Sequence, residues 1–235
     1  MTADIADGAQ QFMRAFSDPE FVARYTDGPR RFVPGLDGLH RMTAILLAER
    51  APEHARVLVL GAGGGLELSA LADAQPSWTF VGVDPAPQML QLAERTLGER
   101  MSRVELIEGT IDDAPAGPFD AATCLLTLHF LRAPERLRTV RAVHDRLHPG
   151  APFVVAHGCL PREQIERDLW LDRYVAYAVV SGADPAQANA MRTAVESSVN
   201  MLSPDEDRTL LRDGGFRDSS PFFAALTWHG WIGHA

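Results

Sequence analysis

The chain has 235 residues, 46% of them apolar, and a formal net charge of −9. That length and composition fit one globular α/β domain with a sizeable core. All basic charge is arginine and the balance is acidic, which argues against a nucleic-acid partner.

Two cysteines, Cys124 and Cys159, show no metal or redox spacing and fit a reducing compartment. The start, Met1 to Ile5, lacks the basic and apolar regions of a secretory leader. No apolar run reaches membrane-spanning length. The expectation is a cytoplasmic protein with no membrane contact.

Residues 1–33 read as a helical leader, with Phe12, Phe16, Phe21, Val22 and Tyr25 as apolar contacts. Asp18-Pro19-Glu20 has the form of a helix start, and Arg30 to Gly35 reads as a break. A helix is predicted from about Asp37 to Glu49, with Leu39, Met42, Ile45 and Leu46 on one face, ended by Ala51-Pro52. Val57-Leu58-Val59-Leu60 then runs into Gly61-Ala62-Gly63-Gly64-Gly65 and a helical pattern to about residue 74. That is a buried parallel strand, a tight turn and a helix that starts at the turn.

The alternation continues. Trp78 to Val83 is a second strand, ended by Asp84 and followed by a helix over about 86–99. Val104 to Glu108 is a third, and Phe119 to about Thr127 a fourth. A charged helix spans Arg132 to Leu147, and Pro152 to Ala156 is a fifth strand. This pitch implies right-handed βαβ units and a parallel sheet. Residues 161–213 read instead as helices, at about 161–180, about 184–200, and from a cap at Ser203 to Gly214-Gly215. Phe216 to Phe223 and Ala225 to Ile232 complete the chain as a two-stranded hairpin. The extra helices are expected over the sheet's carboxyl edge, where open α/β sheets bind ligands.

A glycine turn at a helix start is a cradle for a nucleotide-like cofactor, because it offers free N–H groups and lets a ligand approach the backbone. The dinucleotide fingerprint needs a glycine at position 66, and Leu66 stands there, which disfavours a nicotinamide oxidoreductase. Asp84 follows the loop by about twenty residues, where a carboxylate can accept both ribose hydroxyls. Its competing role is a cap for the helix that begins beyond Pro85. Asp112 and Asp113 follow the third strand, where an acid can accept from an adenine amine; an ordinary turn is the alternative. His129 and His157 stand at strand ends on the ligand side and are candidate general bases, or else buried, hydrogen-bonded imidazoles. No metal spacing is present.

The stretches Val57–Gly65, Val83-Asp84, Gly109–Asp112, Phe119–Ala122 and Leu147–Gly150 together resemble the successive motifs of class I S-adenosylmethionine-dependent methyltransferases. The resemblance implies a Rossmann-like seven-stranded sheet, five parallel strands plus a C-terminal antiparallel hairpin, with a helical lid after strand five. It implies one domain: cap at 1–50, cofactor core at 55–158, lid at 161–213, hairpin at 214–235. S-adenosyl-L-methionine is then the cofactor. Gly61, Ala62 and Gly63 would border its methionine part, Asp84 and Pro85 its ribose, Asp112 and Asp113 its adenine, and Leu125 would lie alongside. The family often has an acid two residues before the first glycine; here that residue is Val59, so the ammonium would have to be held by backbone carbonyls or another group.

A narrower likeness joins Val33-Pro34-Gly35, Leu125 to Leu131 and the helices of 161–201. It is to the transferases that use carboxy-S-adenosylmethionine to carboxymethylate a tRNA wobble uridine. Arg192 matches their carboxylate-reading arginine, although Glu196 stands one turn away as an ordinary helix partner. Leu36 and Leu125 replace their tyrosine and asparagine. Tyr174 and Tyr177 are the candidates to face substrate from the lid, and could place an aromatic face against a sulfonium. The expected activity is methyl transfer to oxygen or nitrogen of a small molecule. Carboxymethyl transfer to tRNA and cyclisation of the cofactor itself are the alternatives, and a homodimer is left open.

Overall fold

The computed structural model describes Phe16, Asp18, Val22, Tyr25 and residues 28–198 and 200–235. Phe12, Pro19, Glu20 and Phe21, which carried part of the expected leader, lie outside the described residues. Helix α1 is a short turn, Gly28–Phe32, formed just where a break was expected, and α2 is Leu36–Ala48. Strands β1 Arg56–Leu60, β2 Thr79–Asp84, β3 Val104–Glu108, β4 Ala121–Leu125 and β5 Pro152–Gly158 alternate with helices. These are α3 Leu66–Ala74, α4 Pro87–Leu97 and α5 Ala133–His144. Then come α6 Gln164–Val180, α7 Pro185–Ser198 and α8 Pro204–Asp213, and strands β6 Arg217–Ala225 and β7 Trp228–His234.

The strands form one sheet in the order β3-β2-β1-β4-β5-β7-β6. The first five are parallel, and β7 runs antiparallel to both β5 and β6. This is the expected Rossmann-like sheet. The hairpin turn falls at Leu226-Thr227, two or three residues later than the apolar pattern suggested, because β6 carries register shifts that lengthen it.

Both faces of the sheet are covered, which is why β1 reads as an unbroken apolar run. Val57 and Val59 pack toward α2 and α3, with Leu39, Leu47, Leu68 and Leu71. Leu58 and Leu60 pack on the other face with Val140, Val143, Phe153 and Phe216. The cap at Ser203 forms as expected, with Ser203 N–H donating to Glu206 Oε2 at 2.9 Å and Glu206 N–H to Ser203 Oγ at 3.4 Å.

Helix α8 is tied to the sheet by a buried ionic network. Arg136 of α5, fully buried, donates to Asp207 Oδ1 at 2.6 Å and to the Asn200 carbonyl at 2.5 Å. The other oxygen, Asp207 Oδ2, lies 3.1 Å from His157 Nε2 and accepts from Cys159 Sγ at 3.3 Å. Burial works to raise the Asp207 pKa, but His157 and Arg136 outweigh it and hold it at about 2, below the ordinary 3.8. A lowered carboxylate pKa means stability present above the ordinary value and lost as pH falls toward 2. Removing one member of such a pair leaves a buried charge uncompensated. Asp207→Ala is expected to lower unfolding stability by about 3–5 kcal/mol, read from the midpoint of urea denaturation with unchanged slope.

Candidate active site

The sheet's carboxyl edge opens into a pocket floored by the glycine turn. Gly61, Ala62, Gly63 and Gly64 line it with Asp84 and Pro85 from the end of β2 and Leu125, Leu126 and Thr127 from the end of β4. Phe16, Tyr25, Pro29, Leu36 and His40 close it from the N-terminal side, and Phe130 and Leu131 complete the wall. Gly61 has φ +81°, and a Cβ there would run into the Thr127 side chain. Gly65, also at φ +81°, has room for no Cβ against Ala93 of α4, so the helix after the turn packs closely on its neighbour.

Asp84 organises this floor. Its Oδ2 accepts from Gly63 N–H at 2.9 Å and its Oδ1 from Ala86 N–H at 3.0 Å. Asp84 is not the cap of α4, since Ala86 holds that position with no side-chain cap bond; Asp84 ties the Ala86 amide to the glycine turn, and each oxygen keeps further lone-pair capacity. Burial raises its pKa, and the Ala86 and Gly63 amides oppose the rise.

The structure brings together six of the eight expected cofactor residues: Gly61, Ala62, Gly63, Asp84, Pro85 and Leu125. Asp112 and Asp113 do not reach the pocket. Asp112 is exposed and takes both bonds of Arg138 Nη1, at 2.8 and 2.9 Å. Asp113 Oδ2 accepts from Thr110 N–H at 2.8 Å and closes its own turn. Their place after β3 was legible, but not the direction of their side chains.

The expected bases are also elsewhere. His157 is buried beside Asp207, its ring tilted 41° to that of Trp231 at 5.6 Å, on the far face of the sheet from α3. His129 is buried, accepts from Gly158 N–H at 3.4 Å, and meets the Trp228 ring edge at 5.6 Å. Burial, His157 and Arg136 hold its pKa well below the ordinary value. Neither imidazole lines the pocket: His157, within β5, joins the network under α8, and His129, after β4, packs against Gly158, Phe130 and Trp228. His40, which showed no signal in the sequence, is the imidazole on the pocket wall. Burial lowers its pKa to about 4, so it is neutral near pH 7.

Among the described residues, none from 161–201 lines the pocket. Helices α6 and α7 support it from behind: Leu171, Val195 and Met201 pack with Phe130. Tyr174 is buried against Phe32 at 5.7 Å, and Tyr177 lies on the same helix outside the pocket. Arg192 faces three carboxylates, Asp172 at 3.4 Å, Glu196 at 3.5 Å and Asp168 at 3.7 Å. The aromatic lining comes instead from Phe16, Tyr25 and Phe130, with Phe16 edge-on to both others at 6.0 and 5.9 Å. Tyr25 read only as an apolar contact of the leader; burial and Asp84 push its pKa above the ordinary range.

A family described as a methyltransferase domain matches residues 58–153. The carboxy-S-adenosyl-L-methionine synthase of Chromohalobacter salexigens is 30% identical over 215 residues, covering 89% of this chain and 79% of that protein. The chain belongs to the class I S-adenosylmethionine-dependent methyltransferases. The protein of the same printed name from Methylococcus capsulatus is 27% identical over 231 residues, covering 96% of this methyltransferase and 94% of the relative. The solved structure of PigF with SAH shares the fold, with a TM-score of 0.68 and 18% identity over 95% of this chain and 62% of that one. The chain spans less than two thirds of the first solved structures it matches.

S-adenosylmethionine is the cofactor or substrate of this family member. The donor set fits it: a glycine floor open to a ligand, a carboxylate with free acceptor capacity beside that floor, and aromatic faces suited to a sulfonium. When bound, the group supplies a methyl carbon already activated for in-line displacement. The chain's part is to hold both partners in line and keep water out.

Titration calorimetry with S-adenosylhomocysteine checks the assignment of Asp84. Asp84→Ala is expected to weaken binding about 10- to 100-fold, the effect of losing charge-assisted hydrogen bonds. Asp112→Ala breaks only an exposed ion pair and is expected to leave binding within about threefold of wild type.

Proposed function

We propose that this methyltransferase moves a methyl group from ordinary S-adenosylmethionine to oxygen or nitrogen of a small, uncharged, largely apolar acceptor. The observation that carries the reading is the pocket wall beyond Leu125. Leu36, Leu126, Phe130 and Leu131 stand there with no arginine among the described lining residues. Such a wall gains from burying apolar surface and gives a carboxylate or phosphate no counter-charge. His40 offers a neutral imidazole to an acceptor hydroxyl or amine. The acidic net charge and the apolar wall also speak against a tRNA acceptor.

A second reading is formation of carboxy-S-adenosylmethionine, and the 30% identity over 215 residues to a synthase of that name favours it. Against it stand Leu36 and Leu125, which supply no polar partner in the pocket, and Arg192, already surrounded by Asp168, Asp172 and Glu196. An arginine so neutralised has little attraction left for a ligand carboxylate.

Mass spectrometry of the ligand that co-purifies separates the two. S-adenosylmethionine or S-adenosylhomocysteine, with release of the latter on incubation with a panel of phenols and amines, is the expected result. A carboxylated cofactor, with its binding lost in Arg192→Ala, would establish the second reading instead.

A further inference from the structure

Val59 stands where the resembled family often has an acid, and it is fully buried in apolar packing. A carboxyl group nevertheless enters this part of the site from another element. Glu67, in the first turn of α3, lines the same pocket as Gly61, Ala62 and Gly63 and is only 7% exposed. The Thr123 hydroxyl is the polar group beside its carboxyl, and among the described residues its Oε1 has no other hydrogen-bond partner. Thr123 is registered with Val59 across the β1–β4 ladder. Registered residues of neighbouring strands share a sheet face. Glu67 therefore comes down on the face that Val59 occupies, about one strand spacing across from where the missing acid would stand.

We propose that Glu67 is the anchor for the α-ammonium of the cofactor's methionine moiety, in place of the acid absent at position 59. The proposal rests on the assignment of this pocket to the cofactor. An ammonium carries three donors, and the Glu67 carboxyl on the wall is an acceptor group with few partners of its own. A buried carboxyl with few partners is costly, so a ligand that adds one gains from it. Burial pushes the Glu67 pKa up to about 8, with the Thr123 hydroxyl opposing, so the carboxyl is neutral at pH 7 when no cation faces it. A cation at Oε1 favours the ionised form. Among the described lining residues there is no arginine; the other titratable groups on the wall are His40 of α2, which is neutral there, Asp84 and Tyr25.

The test compares two ligands on two proteins by calorimetry. S-adenosylhomocysteine carries the methionine-derived ammonium, and methylthioadenosine lacks the whole amino-acid moiety. Glu67→Gln is expected to weaken S-adenosylhomocysteine about 10- to 100-fold and to leave methylthioadenosine unchanged. The deaminated analogue of S-adenosylhomocysteine is expected to bind wild type more weakly by the same factor, and to bind both proteins alike. Equal weakening of both nucleosides would make Glu67 a structural residue and overturn the proposal. Unchanged S-adenosylhomocysteine affinity would overturn it too, even if turnover fell. If Glu67→Gln does not fold, the deaminated analogue on wild type decides, and full affinity there is the overturning result. Methylthioadenosine binding to wild type keeps the cofactor assignment standing whatever becomes of Glu67.

Discussion

The geometry of the site depends on one carboxylate. Asp84 reaches back from the end of β2 to the Gly63 amide and forward to the Ala86 amide. Those two bonds fix the glycine turn relative to the start of α4, and they leave outward-facing acceptor capacity on both oxygens. Hydrogen bonds to an ionised group are about twice as strong as neutral ones, which suits a part that must be stiff before a ligand arrives. The glycines do the complementary work. Gly61 clears the Thr127 side chain and Gly65 lets α3 settle on α4. The floor is thus set by two helix starts and one side chain, and the residues above it are free to define the acceptor.

A second polar assembly, on the opposite face of the sheet, explains why His157 is not at the pocket. Arg136, Asp207, His157 and Cys159 form a buried group that fastens α8 to α5 and β5. His157, Cys159 and Asp207 lie close enough together for a metal ion. The Arg136 guanidinium already supplies the positive charge at Asp207, and burial pushes the Cys159 thiol far up. Such a group holds structure and is shielded from substrate. The helices after β5 then act as a buttress behind Phe130 and leave the covering of the pocket to the N-terminal segment, through Phe16, Tyr25 and Pro29.

Most of the architecture was legible from periodicity. Apolar runs of strand length before glycine or aspartate gave β1 and β2, and the 3.6-residue patterns gave the helices between. The cap at Ser203 and the glycines after α8 were readable because their chemistry is local. The site was legible where a backbone turn forces a residue into place, as at Gly61, Gly63 and Asp84. It was not legible where side-chain direction decides. Asp112 and Asp113 follow β3 as expected, yet one turns to Arg138 and the other to its own turn. His40 and Tyr25 carry no spacing signal at all, because they reach the pocket from segments distant in sequence.

The sequence by itself determined the parallel sheet, the glycine cradle with Asp84, and the absence of an acid at Val59, since each follows from residue type and local spacing. Only the tertiary structure decided which face each side chain joins. It drew His129, His157 and Arg192 into ionic or buried contacts, brought His40 and Tyr25 to the wall, and placed Glu67 beside Thr123 at the pocket. The physical reason is that burial and charge pairing are settled between elements far apart in the chain. No local pattern records how a long polar side chain will resolve that competition.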